Sequence, residues 1–439
     1  MIGSTVLAWS LWSVLAGSIA IAITLWARRT GEFIAPFPLV IATLGFYFLS
    51  RSAYLLWYDR PPLTSGGLPR SEQLDLIART LVMGIVAVSS FLIGHSRKSA
   101  GVAGSNVGFS LPDPHTSRAV WIALFLGSAG LAAVVYIIRS VGGVSYALQH
   151  QYELSAIFQG RLLVFEVARL LIVPAVLLLI DADQHRSRWW AWVVAGVCAV
   201  VLYSLGRRSF MALAIGYPVA IYHLTVRRIP LRWLLPSAGL LAVLLFGLGY
   251  LRLMRRDRLP KVIAVLSHQP SLALHFLNAT GELKVFDAAT IVLRDVPNDM
   301  PYTYGQTFLR IPWMAVPRAL WPDKPATLGN VIVARNLPNL MAGYPPTAVG
   351  EFYAAAGPFA VALGFFVVGW LARAGWEWRR RHPGVGNAAA YLMLCFFFFD
   401  FTRVGDPSRT VWFFIIGLAF FTAAFCLSAR PADHLTRAA

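Results

Sequence analysis

Charge is scarce in this chain, and negative charge is scarcest. Charged residues fill 13% of 439 positions, with 20 Asp and Glu against 38 Lys and Arg. That is about half the usual share for a soluble domain. Cysteine is nearly absent: Cys198, Cys395 and Cys426 each sit inside an apolar run, without CxxC or metal-ligand spacing. They read as small packing residues, not as a disulfide framework or a thiolate metal site. Sequence signatures of nucleotide and hydrolase chemistry are missing as well. There is no Walker A loop, no HExxH, no GxSxG and no GxGxxG opening a helix. Of nine histidines only His268 and His275 come close at helical spacing, and Pro270 interrupts them. Gly101, Gly104 and Gly108 form a loose glycine-rich linker. Nothing here points to a metal, a nucleotide or any other cofactor. No basic segment precedes the first apolar run, so that run is expected to stay as a membrane anchor and not to be cleaved as a signal.

What the chain has instead is apolar length. Hydrophobic residues make up 57%, and the mean hydropathy is +0.62. Runs of roughly 20 apolar residues, the length that crosses a bilayer as helix, recur from end to end. The expected fold is an all-α polytopic membrane protein with eleven spans. These are Val6–Trp26, Phe37–Trp57, Leu74–Ile93, Ala119–Ile138, Leu162–Ile180, Trp189–Leu205, Phe210–Val226, Trp233–Leu251, Pro358–Ala374, Asn387–Phe401 and Thr410–Ser428. The chain then divides into an N-terminal membrane bundle (1–251), a large extramembrane loop (252–357) and a C-terminal group of helices (358–439).

The net charge of +18 would suggest nucleic acid in a soluble protein. In a membrane protein, cytoplasmic loops collect Lys and Arg, and no nucleic-acid partner is expected. Loops on one side carry 16 Lys and Arg, and the short loops opposite carry 8. The positive-inside rule then puts the N-terminus outside, the C-terminus in the cytoplasm, and the loop Arg252–Ala356 outside. Within that loop Val262–Leu274 and Glu282–Leu293 have helix-like apolar spacing, which predicts short surface or re-entrant helices. Asn278 opens a turn or helix cap.

One polar, proline-rich island, Tyr302–Gly357, stands out against this background. It cannot lie bare in hydrocarbon, where unpaired backbone groups cost several kcal/mol. Arg310, Arg318 and Lys324 fall in Leu-Arg-Ile-Pro-Trp and Pro-Arg-Ala-Leu-Trp-Pro-Asp-Lys-Pro. Prolines stiffen such a loop, so its charges are presented without an ordering cost at each use. Trp313 and Trp321 suit either stacking on sugar faces or anchoring at the interface. Glu351, at the mouth of the ninth span, is a candidate general base or the partner of a nearby arginine. Arg207-Arg208, in a tight turn between two spans, either snorkels to headgroups or grips phosphate. Asp400, Arg403, Asp406 and Arg409 cluster just outside the tenth span and are available to the same site. Glu166 and Arg169 stand three apart on one helix, where an ion pair is the first expectation; a transport pathway is the other.

An Arg-rich turn in mid-chain is followed by Tyr-Gly-Gln-Thr-Phe, then Pro-Arg-Ala-Leu-Trp-Pro-Asp-Lys-Pro, then Pro-Pro-Thr-Ala-Val-Gly-Glu-Phe-Tyr-Ala-Ala-Ala-Gly. Over Leu205–Gly357 this resembles the O-antigen polymerase family, the repeat-unit polymerases that build lipopolysaccharide O-antigen and exopolysaccharide in bacteria. The resemblance implies a C-type glycosyltransferase bundle in the bacterial inner membrane, without a cofactor. Its substrates would be undecaprenyl-pyrophosphate-linked oligosaccharides, delivered by the membrane lipid phase. A flippase and a chain-length regulator would be its pathway partners. Pyrophosphate binding would fall on Arg207 or Arg208 and on Arg310 or Arg318, supported by Lys324 and Arg403. Tyr304 and Tyr353 would join Trp313 and Trp321 at the glycan, and Glu351 would take the acceptor proton. The chain departs from the related ligases in having no histidine that marks the external loop as theirs does. Two alternatives stand beside this one: an O-antigen ligase-like transferase, and a transporter or flippase for a lipid-linked glycan. A transporter would be expected to show related halves, and no internal repeat is apparent. Nor would it need a loop of 105 residues, far beyond ordinary connections.

Overall fold

The computed structural model describes residues 2–62, 67–97, 116–149, 162–180, 185–205, 208–230, 282–316, 320–321, 325–336 and 344–428, with four isolated positions between 232 and 239. Among them the chain is 84% helical, with no strand. Seven helices are long and apolar enough to cross a membrane, and two shorter apolar ones, Trp189–Ser204 and Phe210–Thr225, accompany them. This is an α-helical membrane protein. Its residues form two compact units that interleave along the sequence.

The first unit holds residues 1–106, 261–378 and 394–412. Helices α1 (Ile2–Thr30), α2 (Pro36–Trp57) and α3 (Arg70–Ser96) supply its first three long elements. Leu15, Ile41, Leu44, Phe48 and Phe91 are fully buried among them. One side of α1 stays apolar and exposed, with Val6, Leu7, Val14, Ile21 and Leu25 on it, as lipid contact requires. Helix α3 meets a late helix, α13 (Thr347–Arg381), almost backbone to backbone. A Cβ on Gly94 would lie 2.0 Å from the Phe366 carbonyl oxygen, and one on Gly369 would lie 2.2 Å from that of Phe91. Glycine at both points is what permits this approach, the usual device where lipid offers no hydrophobic drive to pack helices. At that end the Trp376 Nε1–H donates to Glu32 at 2.6 Å, tying α13 to the α1–α2 connection.

The second unit holds 107–260, 379–393 and 413–439. It contains α4 (Thr116–Ser140), α5 (Val144–Gln149), α6 (Leu162–Ala168), α7 (Ile172–Ile180), α8 (His185–Ser204) and α9 (Arg208–Thr225). The expected single span Leu162–Ile180 is in fact α6, one 3₁₀ turn at Arg169–Leu171, and α7. Pro174 accounts for the break: it has no N–H for the Leu170 carbonyl, and its ring crowds that carbonyl. Gly130 of α4 sits so close to the turn that a Cβ would fall 2.9 Å from the Leu171 nitrogen. The other expected spans among the described residues are all helical. Val262–Leu274 and the Asn278 turn lie outside the described residues, as does Trp233–Leu251 apart from Trp233, Pro236 and Gly239.

The expected helix at Glu282–Leu293 is present as a 3₁₀ turn, Glu282–Lys284, leading into α10 (Val285–Asp295). Its 11 residues reach ~16 Å, about half a bilayer core. It is no surface helix: ten of the 11 residues are buried. Polar contacts fix it to its neighbours. Arg51 of α2 grips Asp287 through Nε at 3.0 Å and Nη2 at 2.6 Å, and the Thr80 hydroxyl of α3 meets that of Thr290 at 3.2 Å. After α10 come α11 (Gln306–Leu309), a 3₁₀ turn at Pro312–Ala315, α12 (Leu328–Asn336), α13, α14 (Val385–Val404) and α15 (Pro407–Ser428).

Candidate functional site

Helix α13 is broken where the loop was expected to enter the bilayer. Ala356 (φ −162°, ψ 40°) and Gly357 (φ 66°, ψ −151°) leave helical geometry, and Pro358 follows. Proline removes one hydrogen bond and crowds the carbonyl four residues back, and glycine tolerates the left-handed φ. The freed carbonyls are met by another stretch of chain. The Thr303 N–H donates to Ala354 O at 2.8 Å, and the Tyr304 N–H donates to Ala355 O at 3.1 Å. The break therefore leaves a half-helix, 347–355, in front of the long apolar portion. It also fastens the proline-rich segment onto that half-helix.

Glu351 lies in the middle of the half-helix and is 2% exposed. Gly350 beside it packs on Pro346 and on Ala289 of α10, where a Cβ would fall 2.8 Å and 3.3 Å away. Three polar side chains act on the buried carboxyl: the Thr307 hydroxyl of α11, the Asp406 carboxylate and the Arg310 guanidinium. Thr307 and Arg310 are themselves buried, at 8% exposure each. Asp406 is the N-cap of α15. Its Oδ1 accepts from the Ser408 hydroxyl at 2.7 Å and from the Arg409 N–H at 3.1 Å, with Pro407 as the first helical residue, an arrangement helix starts favour. Gly405, at φ 79°, lets this turn close on the start of α13; a Cβ there would clash with the Thr347 carbonyl. One end of the first unit thus gathers two carboxyl groups, a guanidinium and a hydroxyl. Apolar surroundings strengthen their mutual influence. Such a group can hold an anion at the cation and exchange a proton at the carboxyl.

The residues expected from the sequence fall out as follows. Glu351 and Arg310 come together. Arg403 is engaged with Asp400 at 3.0 Å, and Asp400 also accepts from the Thr410 hydroxyl at 3.5 Å, so this pair braces the α14–α15 turn. Trp313, 54% exposed, meets Trp321 edge to face at 6.2 Å. Tyr304 is 77% exposed. Tyr353 is half-buried and packs with Tyr302 on the cluster of Ile291, Val292, Met300 and Ile332. Arg318 and Lys324 lie outside the described residues, as does Arg207. Arg208 is the first residue of α9, in the second unit. In that unit Arg169 pairs with Glu166 and lies over the rings of Phe210 and Phe413. The cavity beside this pair, about 20 Å³, has room for one water. Among the described residues no group of three or more metal-ligating side chains is found.

Sequence reasoning missed Thr307 and the role of Asp406. It also missed the charged cluster at the start of α10. Beside the buried Arg51–Asp287 pair, the Lys284 amine is pushed below its ordinary pKa, first by burial and then by Arg51, with Asp287 opposing. Asp287 carried a visible signal, a lone acid in Val-Phe-Asp-Ala-Ala-Thr. Compared with known protein families, curated proteins and solved structures, the chain matches none.

Proposed function

We propose that this protein is a glycosyltransferase that polymerises undecaprenyl-pyrophosphate-linked oligosaccharide repeat units at the outer face of the bacterial cytoplasmic membrane. The reading keeps eleven spans, the loop 252–356 outside and the C-terminus inside. The observation that carries it is Glu351: a carboxyl buried in a half-helix, with Arg310 and Thr307 closed over it by a segment pinned to the broken helix. In the proposed reaction the acceptor hydroxyl attacks the donor's anomeric carbon. Glu351 receives the hydroxyl proton, the new glycosidic C–O bond forms, and the anomeric C–O bond to phosphate breaks. Undecaprenyl pyrophosphate leaves with that electron pair. Arg310 stabilises the growing charge, because preorganised cations act most strongly where water is excluded. Arg207, Arg208, Arg318, Lys324 and Arg403 remain proposed contacts to pyrophosphate and Tyr353 a proposed contact to glycan, whereas Trp313 and Trp321, together with Tyr304, take the other role the sequence offered, anchoring at the interface.

A broken membrane helix also suits a transporter of lipid-linked glycan, since discontinuous helices line substrate sites in that class. One experiment separates the readings. The purified protein is reconstituted in vesicles with a lipid-linked repeat unit supplied on one face. A polymerase lengthens the glycan and releases undecaprenyl pyrophosphate. A transporter moves the lipid to the other face unchanged, and that outcome would overturn the proposal.

A further inference from the structure

Among the described residues of the segment between Tyr304 and Trp321, polarity is inside out. Large apolar and aromatic side chains are exposed in it: Tyr304 at 77%, Leu309 at 69%, Trp313 at 54% and Leu320 at 78%. Its Thr307 and Arg310 point the other way and are buried; of the polar side chains in α11, Gln306 alone is exposed. A water-facing loop would show the opposite polarity. The segment is also firmly held. Besides the bonds from Thr303 and Tyr304 to α13, Phe308 stacks on Phe352 at 5.7 Å, and the Trp412 indole N–H of α15 donates to the Ile311 carbonyl.

The apolar surface continues beyond the break. On the long part of α13, Phe359, Leu363, Val367 and Leu371 form an exposed stripe at four-residue spacing, the pattern of a helix face turned to lipid. The Tyr304 end of the segment is bonded to the residues immediately before that stripe. Two tryptophans in contact and a tyrosine are the side chains enriched where acyl chains meet headgroups.

We propose that residues 304–316, with Leu320 and Trp321, are bedded in the bilayer at the boundary of headgroups and acyl chains. The occupant of this surface is membrane lipid, and the surface forms the wall that separates Arg310, Thr307 and Glu351 from hydrocarbon. Elements of this kind bury an apolar face ~5–10 Å into the lipid. The polar cluster then lies behind a lipid-facing wall, within reach of molecules that diffuse in the membrane plane. This placement holds whether or not the transfer reaction proposed above is correct.

The test uses the full chain with Cys198, Cys395 and Cys426 replaced, reconstituted in vesicles of phosphatidylethanolamine and phosphatidylglycerol. Single cysteines at Leu309→Cys and Leu320→Cys, and at exposed Asn330→Cys on α12 for comparison, are labelled with a small fluorophore. Quenching by nitroxide lipids is compared with quenching by aqueous iodide. The expected result is several-fold stronger quenching by lipid than by iodide at 309 and 320, and the reverse order at 330. Stronger iodide quenching at 309 and 320 would overturn the proposal. So would protection from both quenchers, which would mean that another protein surface covers the segment. Both positions are exposed, so neither replacement opens the core; should one variant fail to fold, the other decides.

Discussion

Breaking the Arg51–Asp287 pair should destabilise the protein more by either single replacement than by replacing both. The two side chains are 7% and 0% exposed and joined by two hydrogen bonds, so removing one leaves the other charge buried without its partner. Such a loss costs about 3–5 kcal/mol, whereas an apolar pair of similar volume is often neutral or better. Lys284 sets the order of the singles. In Arg51→Met, Asp287 keeps a nearby cation. In Asp287→Leu, Arg51 and Lys284 lose the carboxylate that acts on both, and their mutual repulsion stays, so this variant should be the worse of the two. Reversible unfolding by SDS titration in bicelles would give all four free energies of the cycle. The double variant should cost less than Asp287→Leu alone. If the two single costs simply add, to within about 0.5 kcal/mol, α10 is not held by this pair and the reasoning fails.

Three further outcomes are expected. Gly94→Ala should destabilise by about 1–3 kcal/mol, the cost of overpacking, because its Cβ would meet the Phe366 carbonyl at 2.0 Å; Gly17→Ala, with nothing within 4 Å, should be harmless in the same unfolding assay. Lys284→Met should be more heat-stable than the parent near neutral pH. A lysine whose pKa is lowered by folding weakens the fold while protonated in both states, so the difference should shrink as pH rises through the lowered pKa and vanish by the ordinary 10.5; a pH-independent difference would contradict this. Finally, a cysteine at Asn330 should react with an impermeant reagent added to intact cells. Labelling at 330 only after the membrane is opened would reverse the proposed orientation.

The helices were legible because a membrane span announces itself by length alone, and seven of the expected spans coincide with long apolar helices. Gly357-Pro358 marked the break in α13 for the same local reason: both residues act on their own backbone. Pro174 had the same local effect, yet it was passed over because the apolar run around it was continuous. Glu351 and Arg310 could be picked out as charges in apolar company. Asp406 could be named only as one of four charges available to the site, and Thr307 not at all, since both reach Glu351 only through the folding of three separate elements. Arg51 and Asp287 stand 236 residues apart, and nothing local pairs them. The inverted polarity of Tyr304–Trp321 was hidden for a similar reason, because a short irregular segment has no fixed period from which its inner and outer faces can be read.

The central claim is that the buried carboxyl of Glu351 takes a proton from the acceptor hydroxyl. Glu351→Gln keeps the size and the hydrogen-bonding shape of the side chain and removes its basicity. Polymerisation of purified lipid-linked repeat unit by reconstituted Glu351→Gln is the most direct test, with donor binding measured in parallel. The account predicts turnover reduced by about 10²–10⁴-fold, the range of general-base catalysis, with donor binding retained. Near-normal turnover would contradict it, and so would a loss of binding that matches the loss of turnover.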